Sequence, residues 1–190
     1  DLRRRLLTFL VVGGGYAGVE ALAELQDMAV YATRYYENIS PEDMRWVLVE
    51  AAGRIMPEVS HDLGRYTVER LIEAGIEVYL DTRVTSMVGG HVVLDDGTEF
   101  DADTIVWTAG VKPNPMLANT DLPLDERGRV VCGADLQVAG MPDVFSAGDC
   151  ASVPDLSKDD PDARTAPSAQ HAVRQAKVLA DNIVRHLRGK

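Results

Sequence analysis

FLVVGGGYAGVE, residues 9–20, decides how this chain is read. Phe9 to Val12 form a short apolar run, the pattern of a strand buried on both faces. Three glycines follow, and then a helical pattern begins. The spacing Gly13-x-Gly15-x-x-Gly18 is that of a dinucleotide-binding fingerprint. Gly13 permits the tight strand-to-helix turn, Gly15 lets a pyrophosphate approach bare backbone, and Gly18 lets the helix pack closely on its strand. Gly14, Tyr16 and Ala17 complete the loop and the helix start. The helix then turns its free N–H groups and the positive end of its dipole toward the phosphates. The competing reading is a glycine-rich turn that binds nothing. The strand before the glycines, the helix after them and an acid closing the next strand weigh against it.

Working outward, the first strand is expected at about 8–12 and the helix at about 16–36, with Val19, Leu22, Leu25, Met28 or Ala29, and Ala32 on its buried stripe. Tyr31, Tyr35 and Tyr36 on its last turns read most simply as helix-flank packing. Ser40-Pro41-Glu42-Asp43 is a helix-start signature with room for a single turn. WVLVE, residues 46–50, is the second strand and ends on Glu50, the carboxylate expected to accept hydrogen bonds from adenosine ribose hydroxyls. Glu50 comes 32 residues after Gly18, against about 20 in the usual motif; the long helix and the Ser40 turn account for the excess. A carboxylate there repels a 2′-phosphate and favours NAD(H) over NADP(H), while Arg54, close in sequence, weakens that preference.

Ser60 caps a helix expected over 61–74, stopped by Gly75, with Val59, Leu63, Tyr66, Leu71 and Ile72 as its stripe. IEVYL, 76–80, is the third strand. Short strands at about 83–88, 91–95 and 98–101, with turns at Gly89-Gly90 and Asp95-Asp96-Gly97, make an antiparallel meander before the buried strand TIVW, 104–107. In the small-residue loop Thr108-Ala109-Gly110-Val111 the alanine and glycine allow close approach to a flat ligand, and the prolines after it mark a boundary near residue 112. Beyond it, short strands are expected at 129–131, 136–138 and 144–146, the last running buried into Ala147-Gly148 with Asp149 at its C-terminal end. Such an Asp either holds ribose or polyol hydroxyls or caps a turn. A strong helix, 168–189, closes the chain, with Ala172, Ala176, Leu179, Ile183 and Leu187 as its stripe and Gln170 and His171 in its first turn.

A hydrophobic fraction of 46% with 26% charged residues is that of a soluble globular chain. The net charge of −11 argues against a nucleic-acid partner. No apolar run approaches the ~20 residues that span a bilayer. The charged opening DLRRR is no signal peptide. Cys132 and Cys150, far apart in sequence, suggest neither CxxC chemistry nor a metal site, and a reducing cytoplasm is the plain reading.

Together VVGGGYAGVE (11–20), VLVE (47–50), VWTAGVKPNP (106–115), DVFSAGDCA (143–151) and AQHAVRQA (169–176) resemble the pyridine-nucleotide flavoproteins with two dinucleotide-binding domains, above all the type II NADH dehydrogenases. The resemblance implies an α/β chain with a Rossmann-like NAD(H)-binding domain, residues 1–112, whose parallel sheet carries the meander, followed by the C-terminal part of an FAD-binding domain, 113–190. It implies that Gly13, Gly14, Gly15, Tyr16, Ala17 and Gly18 line the NADH pyrophosphate and that Glu50 holds the ribose. Glu20 lies near the nicotinamide and Val84 beside the adenine, with Ala109 and Gly110 under the bound NADH. Gly148 and Asp149 bind FAD; Ala169 and Gln170 lie at the flavin ring, and Gln170 with Gln175 borders the quinone pocket. Glu20, Gln170 and Gln175 are thus the residues nearest the chemistry: hydride transfer from NADH to FAD, then electrons to a quinone, without proton pumping. Read without the resemblance, Glu20 is an ordinary first-turn acid.

The chain departs from that family in two places. Ala176 stands where members often have Gly. The upstream FAD fingerprint and the C-terminal amphipathic region that seats the full enzyme on a membrane are not in this sequence, so it reads as a piece of a longer protein that binds FAD poorly and turns over little by itself. The expected setting of the full protein is the cytoplasmic face of the inner membrane, as a peripheral protein and a candidate homodimer. The alternatives are a disulfide reductase of the same superfamily and a non-catalytic NADH-binding module.

Overall fold

The structure is a computed structural model and describes residues 2–189; Asp1 and Lys190 lie outside the described residues. They fall into two compact units divided between Gly110 and Val111. In the first, a short helix α1 (Leu2–Leu6) leads into strand β1 (Thr8–Val12), which enters helix α2 (Tyr16–Ala32) through the glycines. Strand β2 (Arg45–Val49), helix α3 (His61–Glu73) and strand β3 (Ile76–Tyr79) follow. Strands β4 (Val84–Ser86), β5 (His91–Leu94) and β6 (Glu99–Asp101) form an antiparallel meander before β7 (Thr104–Trp107). β3, β2, β1 and β7 make a parallel sheet in that order.

Strand alternation sorts the core into two layers. Val11, Trp46 and Leu48 face Val19, Leu22 and Leu71 of the helices. Leu10, Val12, Val47 and Val49 face Val92, Leu94 and Phe100 of the meander. The unit is therefore a three-layer stack, helices on one face of the parallel sheet and the meander on the other. Buried on both sides, strands β1 and β2 read as unbroken apolar runs. Arg45 ties the layers at the far end of the sheet: its guanidinium grips Glu77 through two bonds of 2.8 and 2.7 Å and lies 4.4 Å from the Phe100 ring centroid.

Several expectations are corrected. Helix α2 stops at Ala32 and gives way to a 3-10 turn, Thr33–Tyr35, and Tyr31, Tyr35 and Tyr36 are exposed rather than packed on a flank. On α3, Leu63, Tyr66 and Ile72 are exposed; the inward face is Gly64, Val68 and Leu71. Gly64 carries the reason, since a Cβ there would lie 3.2 Å from the Ile55 carbonyl oxygen. That close approach fixes which face of the helix turns in.

The second unit has a two-stranded parallel pair, β8 (Val130–Val131) and β9 (Ala151–Ser152), and one long helix, α4 (Ala169–Leu187), capped by Ser168, whose hydroxyl accepts from the His171 N–H at 3.3 Å. Segments 136–138 and 144–146 make isolated bridges instead of strands. Val130, Cys132, Leu136, Val138, Ala151 and Val153 form its core, with Leu179 packed against them. No residue of α4 is fully buried, and Ala176 and Leu187 of the expected stripe are exposed.

Candidate functional site

The glycine loop shows why each small residue stands where it does. Gly13 has φ +108°, and a Cβ on it would lie 2.7 Å from Thr108 Oγ1 and 2.8 Å from the Ala109 nitrogen. A Cβ on Gly18 would fall 1.8 Å from the Gly13 carbonyl oxygen, and one on Gly14 would fall 2.6 Å from Ile55 Cγ2. These three are filled from inside the protein. Gly15 is the exception: nothing lies within 4 Å of the Cβ it lacks, and it is the N-cap of α2 with no side-chain cap. The helix therefore begins on an open backbone face with unsatisfied N–H groups, the arrangement that takes a phosphate.

Glu50 follows directly on β2 and turns to this loop. Its Oε2 accepts the Gly14 N–H at 2.6 Å and its Oε1 accepts the Ala52 N–H at 2.8 Å. A carboxylate offers about four lone-pair positions, so two remain for hydroxyl donors beside the open face. Arg54, which the sequence left as a counterweight, is committed elsewhere: its guanidinium donates to the Met56 carbonyl at 3.3 Å and the Val59 carbonyl at 2.6 Å.

Thr108 holds the site's two loops together, a role that spacing arguments did not single out. Its N–H donates to the Val12 carbonyl at 2.8 Å, and its hydroxyl lies 3.0 and 3.1 Å from the Val12 and Gly13 carbonyls. It locks the loop after β7 against the fingerprint, which brings Ala109 to Gly13. Gly110 follows at φ +77°, and the Ala109 carbonyl accepts the Trp107 indole N–H at 2.8 Å. The only advance signal was position, directly after the closing strand of the sheet. Tyr16 and Ala17 occupy the exposed first turn of α2. Glu20 is exposed one turn later, not in the first turn, where no acid stands. Val84 is half-buried at the start of β4, two residues past Thr82, whose N–H donates to the Glu50 carbonyl at 3.1 Å. Gly13 to Gly18, Glu50, Ala109 and Gly110 are thus gathered at the C-terminal end of the parallel sheet.

Gly148, Asp149, Ala169, Gln170 and Gln175 belong to the second unit. Gly148 (φ +77°) opens a 3-10 turn, Gly148–Cys150, that leads into β9. Asp149 therefore precedes a strand rather than ending a buried one; Val144, before it, is 37% exposed. Gln175 holds this turn: its side-chain oxygen accepts the Gly148 N–H at 2.7 Å, and its amide donates to Thr165 Oγ1 at 3.2 Å. Ala169 and Gln170 are exposed at the N-terminus of α4. His171 points back into the unit, Nδ1–H donating to the Ala166 carbonyl at 2.8 Å.

A cavity of about 520 Å³ in this unit is lined by Lys112, Arg127, Arg129, Glu126, Asp149 and Cys150, among others. Arg129 is 8% exposed and rigidly placed, its Nε donating to Asp125 at 2.9 Å. Three cations, with the carboxylates of Glu126 and Asp149 at the wall, suit an anionic group that also carries hydroxyls. Behind Cys150, burial pushes the Cys132 thiol up to about 11, with Cys150 adding to the shift; Cys132 is an inert core residue. Among the described residues no cluster of metal-ligating side chains comes together, and no helix is long and apolar enough to cross a membrane.

The family model for pyridine nucleotide-disulphide oxidoreductases matches residues 1–176. A Dictyostelium discoideum protein named "Probable NADH dehydrogenase" is 31% identical over 94% of this chain and 38% of its own length. A Mycobacterium tuberculosis protein named type II NADH:quinone oxidoreductase Ndh is 33% identical over 100% of this chain and 41% of its own. The chain thus spans about two fifths of these relatives. A solved FAD-dependent pyridine nucleotide-disulphide oxidoreductase from Desulfovibrio vulgaris superposes with a TM-score of 0.69 at 28% identity, over 94% of this chain and 43% of that one. The fingerprint loop, the carboxylate turned onto it and a match over most of the sequence agree: the chain belongs to the pyridine nucleotide-disulphide oxidoreductase family.

Proposed function

We propose that these residues are the NADH-handling part of an FAD-dependent NADH:quinone oxidoreductase: an NAD(H)-binding domain, 1–112, and part of an FAD-binding domain, 113–190. The observation that carries this is the open face at Gly15 beside Glu50. The diphosphate lies over Gly13 to Gly18, taking the free N–H groups of α2. Glu50 holds two ribose hydroxyls on the oxygens already oriented by Gly14 and Ala52. Ala109 and Gly110 keep the floor under the nicotinamide half low, and Glu20 stands toward that half from the second turn of α2. In the other unit Asp149 takes hydroxyls of the FAD chain, Arg129 and its neighbours take phosphate, and Ala169 and Gln170 lie at the ring edge and at the quinone. FAD, when bound, supplies the step between a two-electron donor and a quinone; the chain's residues bind and orient.

Gln175 is assigned here a positioning role, since both ends of its amide are already engaged. The described part of the second unit presents one long helix and no second glycine fingerprint. On that ground the 190 residues alone bind FAD weakly and turn over little. Membrane attachment at the cytoplasmic face, the complete quinone site to which Gln170 contributes, and a homodimer belong to the whole protein.

The test is NADH consumption by the full-length protein with a quinone, and separately with small disulfides, as acceptor. Quinone-dependent oxidation supports the reading. Disulfide-dependent oxidation gives the disulfide reductase instead, and NADH binding without oxidation by either gives a binding module.

A further inference from the structure

A second carboxylate stands behind the ribose-binding one. Asp81 lies two residues past the end of β3, and it adopts φ +52°, a left-handed conformation uncommon outside glycine, Asn and Asp. Its N–H donates to the Ala52 carbonyl at 3.1 Å, so it is sewn to the loop that carries Glu50. Its side chain is turned to that loop as well: a Cβ on Gly53 would lie 3.0 Å from each Asp81 carboxylate oxygen. Two carboxylates therefore bear on the start of the loop between β2 and α3: Glu50 through the Ala52 N–H and Asp81 beside Gly53. The one cation in the loop, Arg54, is spent on the Met56 and Val59 carbonyls. Asp81 itself has no cation within ion-pair distance among the described residues.

We propose that Asp81 is a specificity-determining residue: its charge, carried to the adenosine pocket across the bare Gly53, rejects a 2′-phosphate and so sets the preference for NADH over NADPH together with Glu50. The inference rests on the proposed placement of the adenosine half at Glu50. The effect is electrostatic and selective. A neutral ribose feels little of it, whereas a 2′-phosphate brings close to two negative charges to the pocket. Glu50 contacts the sugar and so affects both nucleotides; Asp81 touches neither and affects only the one with the extra phosphate.

Calorimetric titration of the 190-residue chain with 5′-AMP and with adenosine 2′,5′-bisphosphate tests this. Asp81→Asn keeps the shape and tolerates positive φ, and Asp81→Gly removes the side chain without backbone strain. In both variants the bisphosphate is expected to gain about three- to tenfold in affinity over wild type, the size of one partly screened charge repulsion. The 5′-AMP affinity stays within about twofold, and the gain shrinks as salt is raised. Normal 5′-AMP binding with an unchanged preference in both variants overturns the role of Asp81 alone. An equal change for both ligands makes Asp81 a structural residue and also overturns it. Failure of wild type to bind either nucleotide overturns the placement at Glu50, and this inference with it.

Discussion

Gly15→Ala separates the binding role of the fingerprint from its structural one. Nothing lies within 4 Å of the Cβ position at Gly15, and its backbone (φ −71°, ψ 178°) suits alanine. The poorer N-cap costs about 0.5–1 kcal/mol, and the stiffer unfolded chain returns about 0.4–1 kcal/mol. Stability should therefore move by less than about 1 kcal/mol. Binding should not be spared. The new methyl stands where the diphosphate meets the helix N-terminus, and each hydrogen bond to a charged oxygen is worth about 1.5–3 kcal/mol. Loss of one or two such contacts raises the NADH Kd by about 100-fold, or about 2.7 kcal/mol. Gly18→Ala is the contrasting variant: its Cβ would sit 1.8 Å from the Gly13 carbonyl oxygen. That backbone clash should cost about 3 kcal/mol or more, through overpacking with no flexible neighbour to yield. Urea denaturation gives the stabilities, and quenching of tryptophan emission by NADH gives the affinities. A Gly15→Ala protein that binds NADH within threefold of wild type refutes the reasoning, as does one that loses stability as Gly18→Ala does.

Three further outcomes are expected. Glu50→Gln should weaken NADH by about tenfold, while its amide oxygen keeps one of the two backbone bonds; an unchanged Kd by the same titration removes Glu50 from the ribose site. Gln175→Ala should cost about 1–2 kcal/mol by leaving the Gly148 N–H without its partner, read as a lower urea midpoint, with NADH affinity untouched. The third is a pH effect. His91 stands between Asp101 and Glu99, and the hydrogen bond to Asp101 (2.8 Å) raises its pKa above the usual 6.5. The same bond lowers the pKa of Asp101. The pair therefore stabilises fully below the ordinary histidine value, and that contribution is lost as pH rises through the raised one. On the acid side it fades only as pH falls through the lowered value of Asp101. His91→Gln should thus lower Tm more at about pH 6 than at about pH 9; an equal loss at both denies the ion pair.

The first unit was legible because its signals are local. β1, β7, the Ser60 cap and the single turn at Pro41–Asp43 follow from apolar runs and capping residues, and all lie where expected. Helix faces were harder. Leu63, Tyr66 and Ile72 are apolar but exposed, because the inward face of α3 is chosen by how closely Gly64 can approach Ile55, which no single-helix period contains. The partners of Glu50 were hidden for a related reason. That Gly14 donates to it depends on two loops 36 residues apart. The second unit was read least well. Segments 136–138 and 144–146 have the composition of strands, yet find only single bridges, whereas β9 is two residues long and too short for any pattern to announce. The resemblance set Gln175 at the border of the quinone pocket and said nothing of what holds it. Its fixed place between Gly148 and Thr165 is a tertiary fact.

A crystal of this chain soaked with NADH decides where the nucleotide binds. The diphosphate is expected on the open backbone at Gly15, against the first turn of α2, with the adenosine ribose hydroxyls on Glu50 while Gly14 and Ala52 keep their bonds to the same carboxylate. A nucleotide bound elsewhere on the unit, or one seated on the glycines with its ribose turned away from Glu50, contradicts this placement.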